Sequence, residues 1–246
     1  FCFAKDGEDP HFVVAKPGFI KELNKADLFV QVGLDLEVGW APVLLQNARN
    51  PKVLEGAAGF LDASKAVQPL GIPQGPVDRS MGDVHAAWNP HYLLDPENGL
   101  AVAGLIRDKL IDLRLGGREG FETRFAAFEK RLKKAEGVWL ERLKPYAGAK
   151  AADDHDLWLY FARRFGLEII GHMEPKPGIS PTTRSLEALI GKMREGKVRI
   201  LITSLYFNPH HADFVSEKTG AKVVRLAHQT GALKDAQDYV AMIDRN

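Results

Sequence analysis

Two histidines of this chain follow prolines in segments whose backbone is restricted. His91 lies between two prolines within residues 89–96, and His11 follows the pair Asp9-Pro10. Proline disfavours the α conformation in the residue before it, so His91 is predicted to lie on a short extended segment between two corners. Neutral imidazole is a common ligand of transition metals, so these two rings are candidate metal ligands.

The single cysteine leaves this chemistry to histidine. Cys2 excludes an internal disulfide and any zinc site built from several cysteines, and it is predicted to be a small apolar residue in an early strand. His85 precedes His91 in a His-x5-His pair, on a stretch rich in Gly, Pro and Asp. Because a loop can fold two rings toward one ion, His85 is a candidate additional ligand.

Composition excludes several classes of function. The 246 residues are 45% hydrophobic and 26% charged, which describes a globular protein with enough apolar surface for a core. The 33 basic and 32 acidic residues are interleaved and leave a net charge of +1. This balance gives no electrostatic reason to expect nucleic acid as a partner. The longest apolar runs are too short to span a bilayer.

Several motifs resemble one family. Residues 89–96 are similar to the Asp-Pro-His-x-Trp-Leu-Asp-Pro signature of the zinc/manganese-binding receptors of ABC importers, the ZnuA/TroA-like solute-binding proteins, with Asn89 and Leu93 as variants. Asp9-Pro10-His11, followed by Pro17, is similar to the first ligand motif of that family. Three longer runs extend the resemblance over nearly the whole chain, at residues 26–40, 155–167 and 174–181.

The resemblance implies a set of metal ligands: His11, His91, His155 and His228. His228 stands where the family usually has an aspartate, and His155 is predicted to begin a helix whose dipole keeps its ring neutral. Glu174 and His172 are candidate additional ligands. The preferred role for both is to orient a ligand or to hold the loop, without binding the metal directly. A shell of imidazoles favours Zn²⁺ over Mn²⁺ or Fe²⁺, because manganese prefers oxygen donors.

The predicted fold class is α/β, with two lobes that are each a parallel β-sheet flanked by helices and are joined by one long spine helix. The expected domains are an N-terminal metal-binding lobe at 1–117, a linking helix at 118–145 and a C-terminal metal-binding lobe at 146–246. Gly137 is expected to break or bend the linking helix. Ligands in such sheets bind at the carboxyl ends of the strands, which would place the ion between the lobes.

Hydrophobic periodicity and turn residues predict the individual elements. A strand tail is expected at the N-terminus, and further strands are predicted at 26–33, 52–55, 67–72, 149–153, 167–170, 198–205 and 222–226. Helices are predicted at 18–25, from Leu34 to near Asn50, at 96–112 and 118–145, from His155 onward, and at 182–194, 208–219 and 238–246.

The function implied by the resemblance is that of an extracytoplasmic solute-binding protein. It would capture Zn²⁺ in the cleft between the lobes and deliver it to the membrane permease of an ABC importer, as a monomer in the periplasm or on the cell surface. Members of the family begin with a leader and a strand–helix unit before the first ligand, so the resemblance implies that this sequence is a fragment or that its natural start lies upstream. Two alternatives remain open: a metal-dependent hydrolase with Glu174 as base, and a surface adhesion module stabilised by metal.

Overall fold

The computed structural model describes residues 1–5, 7–71, 88–174 and 179–246. In these residues the chain alternates strands with helices, and all the strand pairs are parallel. The predicted α/β class is confirmed. The boundaries predicted for the lobes and the linking helix stay a prediction.

The N-terminal lobe contains a parallel pair of short strands. Helix α1 (Pro17–Lys25) leads into β1 (Phe29–Gln31), and α2 (Ala41–Ala48) leads into β2 (Phe60–Asp62). Phe29 pairs with Phe60 in this sheet. Gly59 lets the two backbones approach, since a Cβ there would overlap the carbonyl oxygens of Asp27 and Lys52.

Several local predictions in this lobe are wrong. The described N-terminal residues form no strand, and Cys2 is exposed. Residues 52–55 are not a strand, because Pro51–Val53 forms a 3₁₀ turn in which the Asn50 side chain accepts from the Lys52 amide. The described part of 67–72 contains no strand either. The strand β2 at Phe60–Asp62 was not predicted. The helix predicted from Leu34 begins only at Ala41, after a run of turns.

Two helices lie between the strand pair β1–β2 and the C-terminal sheet in the chain. Helix α3 (Pro96–Asp112) is capped by the Asp95 side chain, which accepts from the Glu97 amide, and proline occupies its first position. Helix α4 (Arg118–Leu143) is the long helix predicted for the spine. Gly137 does not break it, because one glycine inside a helix of this length costs only about 1 kcal/mol.

The C-terminal lobe has a four-stranded parallel sheet within the described residues. In chain order it contains β3 (Lys150–Asp153), α5 (Leu159–Phe165), β4 (Glu168–His172), α6 (Thr183–Glu195), β5 (Ile200–Thr203), α7 (Pro209–Thr219), β6 (Lys222–Arg225) and α8 (Tyr239–Arg245). The strand order is β4-β3-β5-β6. Every element of this lobe was predicted within a few residues except the start of α5, which lies four residues after His155.

One apolar core joins elements on both sides of the cleft. Leu94 from the N-terminal lobe and Trp139 from α4 pack in the same buried cluster as Trp158 and Phe161 from the C-terminal lobe and Val240 from α8. Burial of such large side chains contributes roughly 1.5–3 kcal/mol each. The lobes are therefore tied together by apolar packing as well as by the chain connection.

Two glycines of α3 provide a matched test of this packing. A Cβ on Gly99 would overlap the Tyr239 hydroxyl of α8, whereas one on Gly104 would make an ordinary contact with the Phe125 ring. Gly99→Ala is expected to lower the free energy of unfolding by about 1–3 kcal/mol through overpacking. Gly104→Ala is expected to raise it by up to about 1 kcal/mol through helix propensity. Urea unfolding measures both, and equal effects would contradict this packing.

Candidate metal centre

Three of the predicted histidines converge between the lobes. Each of His11, His91 and His155 offers a ring nitrogen, and these nitrogens all lie within 4.8 Å of one another. The Nε2 atoms of His91 and His155 are 3.3 Å apart. Two nitrogens bound to one tetrahedral Zn²⁺ at about 2.0–2.1 Å lie about 3.3 Å apart, so this pair already has the separation that the ion requires.

The segment before α1 positions His11. Asp9 accepts from the His11 amide at 3.0 Å, and its Oδ1 lies 2.7 Å from the ring Nδ1. The Trp40 indole donates to the Pro10 carbonyl at 3.0 Å and ties the segment to α2. Because Nδ1 faces Asp9, the His11 ring presents Nε2 to the other two histidines. Burial opposes ionisation of Asp9, yet the hydrogen bond and charge of His11 lower the pKa of this carboxyl.

His91 lies at the junction of the lobes. Its amide donates to the Asn89 side chain at 2.9 Å. Asn89 in turn donates to the Asp156 carbonyl and accepts from the Tyr160 hydroxyl, both in the C-terminal lobe. The predicted extended segment is wrong here: His91 has φ −84° and ψ 30° and leads into a 3₁₀ turn at Tyr92–Leu94. The turn forms because the Leu94 amide reaches back to the His91 carbonyl.

His155 follows β3 in the second lobe. Asp154 accepts from its amide, and Glu174 Oε2 lies 3.4 Å from its Nδ1, which leaves Nε2 facing His91. Burial would lower the pKa of His155, but hydrogen bonding to Glu174 and the charge of Asp154 raise it above its ordinary value. The predicted helix-dipole argument is wrong, since α5 begins four residues later and carboxylates surround the ring instead.

His228 is near this group but is not one of the three. It lies on the loop after β6, where its Nε2 is 3.0 Å from the Glu8 carbonyl oxygen and its ring contacts Tyr206 edge-on at 4.9 Å. Its Nδ1 is buried without a hydrogen-bond partner among the described residues. Burial lowers the pKa of His228, which favours the neutral ring that a metal requires.

The remaining candidates lie in different places. Glu174 contacts His155 as a carboxylate behind the ring, while His85 lies outside the described residues. His172 is not in the group of three histidines and contacts Asp153, whose Oδ1 is 2.5 Å from the His172 Nδ1. Coordination of a metal by these residues stays a prediction.

A cleft of about 250 Å³ opens beside the histidines. It is lined by residues of both lobes, among them Asp9, His11, His155, Glu174, Tyr206 and His211. Asp9 and Glu174 place two carboxylates beside imidazoles, an arrangement that balances the charge of a bound cation and orients each ring. Tyr206 was missed by sequence reasoning, because an aromatic residue after a strand gives no signal for contact with a histidine 22 positions away.

Comparison with known proteins identifies the family. The family model described as "Zinc-uptake complex component A periplasmic", ZnuA, matches residues 2–246. The chain belongs to this family. It is therefore a substrate-binding protein of the metal ABC importers and not an enzyme, and neither the hydrolase nor the adhesion alternative is supported. No helix in the described part of the chain is both long enough and apolar enough to cross a membrane.

Individual relatives differ in the metal that their names give. The high-affinity zinc uptake system protein ZnuA of Yersinia pestis is 24% identical over 98% of this chain and 79% of its own length. The manganese ABC transporter substrate-binding lipoprotein PsaA of Streptococcus anginosus is 23% identical over 98% of this chain and 77% of its own length. The chain is thus similar to both zinc and manganese receptors.

Solved structures share the fold. A crystal structure of ZnuA superposes with a TM-score of 0.79 at 24% identity, covering 98% of this chain and 85% of the other. The substrate-binding protein FpvC of Pseudomonas aeruginosa, in complex with Mn²⁺, superposes with a TM-score of 0.81 at 21% identity, covering 99% and 85%. These similarities confirm the predicted two-lobed architecture.

The His172–Asp153 pair makes stability depend on pH. Burial lowers the pKa of His172, but the hydrogen bond and charge of Asp153 outweigh it and raise the value to about 9. Burial also raises the pKa of Asp153 to about 7. The folded protein therefore binds both protons more tightly than the unfolded chain, and the stabilisation that comes with them is lost as pH rises toward 9. We expect the stability difference between wild type and the double variant Asp153→Asn/His172→Gln, which removes both titrating groups, to shrink as pH rises to 9 when measured by urea unfolding. A difference that grows with pH would contradict this account.

Proposed function

We propose that this protein captures Zn²⁺ with His11, His91 and His155 and delivers it to the permease of an ABC importer. The observation that carries the proposal is the convergence of three imidazoles from distant parts of the chain. Buried histidines that face one another without a ligand would repel when protonated, so their proximity is best explained by a cation that they share.

The donor set favours zinc. Nitrogen donors suit Zn²⁺ and are less suited to Mn²⁺, which prefers carboxylate and carbonyl oxygens. Asp9 and Glu174 contact ring nitrogens at 2.7 and 3.4 Å, so in this arrangement both act through a histidine. Fe²⁺ and Mn²⁺ are accordingly the weaker cargoes in this proposal.

We infer that His228 completes a four-coordinate shell. The residue is partly buried, and its Nδ1 atom is buried without a hydrogen-bond partner in the described residues, which supports a role as ligand. Its Nε2 contacts the Glu8 carbonyl at 3.0 Å, three residues before His11. In this proposal a movement of the loop after β6 brings the ring to the ion that His11 holds.

A closed shell suits transport rather than chemistry. Catalytic zinc keeps a position for water, whereas four protein ligands leave none. We place the protein in the periplasm or at the outer cell surface, where it acts as a monomer and passes the ion to the membrane permease. The family membership supports this placement and this partner.

Titration of the metal-stripped protein tests the proposal. We expect one Zn²⁺ per chain, and we expect His91→Ala to weaken zinc binding by more than about 100-fold, which exceeds the loss typical of residues behind a ligand. His210→Ala is the control, because His210 is an exposed histidine on α7. Absence of zinc uptake by the wild type, measured by isothermal titration, would exclude a zinc receptor.

The fourth ligand is tested by two further variants. His228→Ala is expected to weaken zinc binding more than Glu174→Gln, because the first removes a donor and the second only loosens the His155 ring. Loss of the Glu174 partner should cost about 10- to 100-fold in affinity. Competition with a zinc chelator measures both dissociation constants. A larger loss for Glu174→Gln would assign the fourth position to the carboxylate.

A further inference from the structure

A buried ion pair joins the lobes next to the candidate metal centre. Asp95 follows the His91 turn, and its side chain is only 1% exposed. Its Oδ1 accepts from Arg164 Nε of α5 at 2.7 Å, and its Oδ2 lies 3.3 Å from Arg164 Nη2. The same carboxylate caps α3 through the Glu97 amide. Asp95 thus links the segment that carries His91 to the helix that follows His155.

Arg164 has further partners on two other helices. It forms an ion pair with Glu97 of α3, and its Nη1 lies 3.7 Å from Glu136 of α4. A planar guanidinium can serve several carboxylates in a fixed geometry, which a lysine ammonium cannot do. Arg164 therefore fixes α3, α4 and α5 relative to one another.

Other hydrogen bonds hold the same segment. Tyr239 of α8 donates to the Leu93 carbonyl at 2.7 Å, and Tyr160 of α5 donates to the Asn89 carbonyl at 2.9 Å. These contacts bracket His91 on both sides in sequence. The His11 segment is held differently, through Trp40 of its own lobe and through the His228 loop.

We propose that Arg164 is a positioning residue for metal capture: it clamps the His91 segment against α5 and keeps the Nε2 atoms of His91 and His155 at a bonding separation before the metal arrives. This inference rests on the proposed function. A buried ion pair gives little net stability compared with apolar packing, because both charges lose their hydration. Its benefit here is geometric, since apparent affinity falls in proportion to the fraction of molecules in the competent arrangement.

The test compares two arginines that each contact an aspartate. Arg164→Gln removes both Arg164 contacts with Asp95 and leaves only the longer contact of Arg163 Nη2, 3.4 Å from Asp95 Oδ2. Arg131→Gln removes an exposed pair with Asp238 between α4 and α8. Zinc dissociation constants are measured by chelator competition, well below the melting temperature of each variant. We expect Arg164→Gln to weaken zinc binding by about 10- to 100-fold, in the range found for residues that orient ligands. Arg131→Gln should stay within about twofold of wild type.

A second measurement separates positioning from loss of stability. Hydrogen exchange of the metal-free protein should accelerate at the amides of His91, Leu94 and Asp95 in Arg164→Gln and not in Arg131→Gln. If Arg164→Gln fails to fold, Arg164→Lys serves in both measurements, with a smaller loss expected because one bond can persist. Unchanged affinity, or unchanged exchange in 89–95, would overturn the proposal. A wild type that takes up no zinc would instead defeat the proposed function, and the exchange data would still decide the role of Arg164.

Discussion

The structure depends on bringing ring nitrogens from both lobes close to one another. The 3.3 Å between the Nε2 atoms of His91 and His155 is a separation that neutral rings tolerate and two protonated rings do not. To maintain this distance, each ring must be oriented by a hydrogen-bond partner at its Nδ1, and the backbone segment that carries it must be fixed. Much of the hydrogen bonding around the cleft serves these two requirements.

Carboxylates meet the first requirement. Asp9 and Glu174 each face the Nδ1 of a histidine, so the Nε2 atoms of His11 and His155 point into the cleft. The same two groups lower the electrostatic cost of placing a divalent cation among neutral ligands. Although burial opposes it, the hydrogen bond to Glu174 raises the pKa of His155. A proton therefore competes with a metal ion for this ring, and metal affinity should weaken in acid.

The shared apolar core and the Asp95–Arg164 pair meet the second requirement. Leu94 lies in one buried cluster with Trp158, so the turn after His91 and the loop after His155 pack against the same side chains. Close packing of this kind resists small displacements and keeps each ring within a narrow range of positions. The His11 and His228 segments contact each other instead, through the His228 Nε2 and the Glu8 carbonyl oxygen.

The sequence by itself determined the fold class, the long helix, nearly all of the C-terminal lobe and the candidate histidines. The elements follow from local signals: strand-length apolar runs, proline and glycine boundaries, and capping residues such as Asp95 and Thr182. The candidate histidines follow from short segments that resemble the motifs of the family at His11, His91 and His155. Such signals act over a few residues, so the sequence carries them directly.

Only the tertiary structure decided how these pieces meet. The missed strand Phe60–Asp62 exists because its backbone pairs with β1, and the helix expected at His155 starts late because the loop turns toward Asp154 and Glu174. The bond from His228 to Glu8 and the clamp by Arg164 join residues 220 and 69 positions apart. No local pattern encodes such contacts, because their energies depend on desolvation and packing that exist only once the chain has folded.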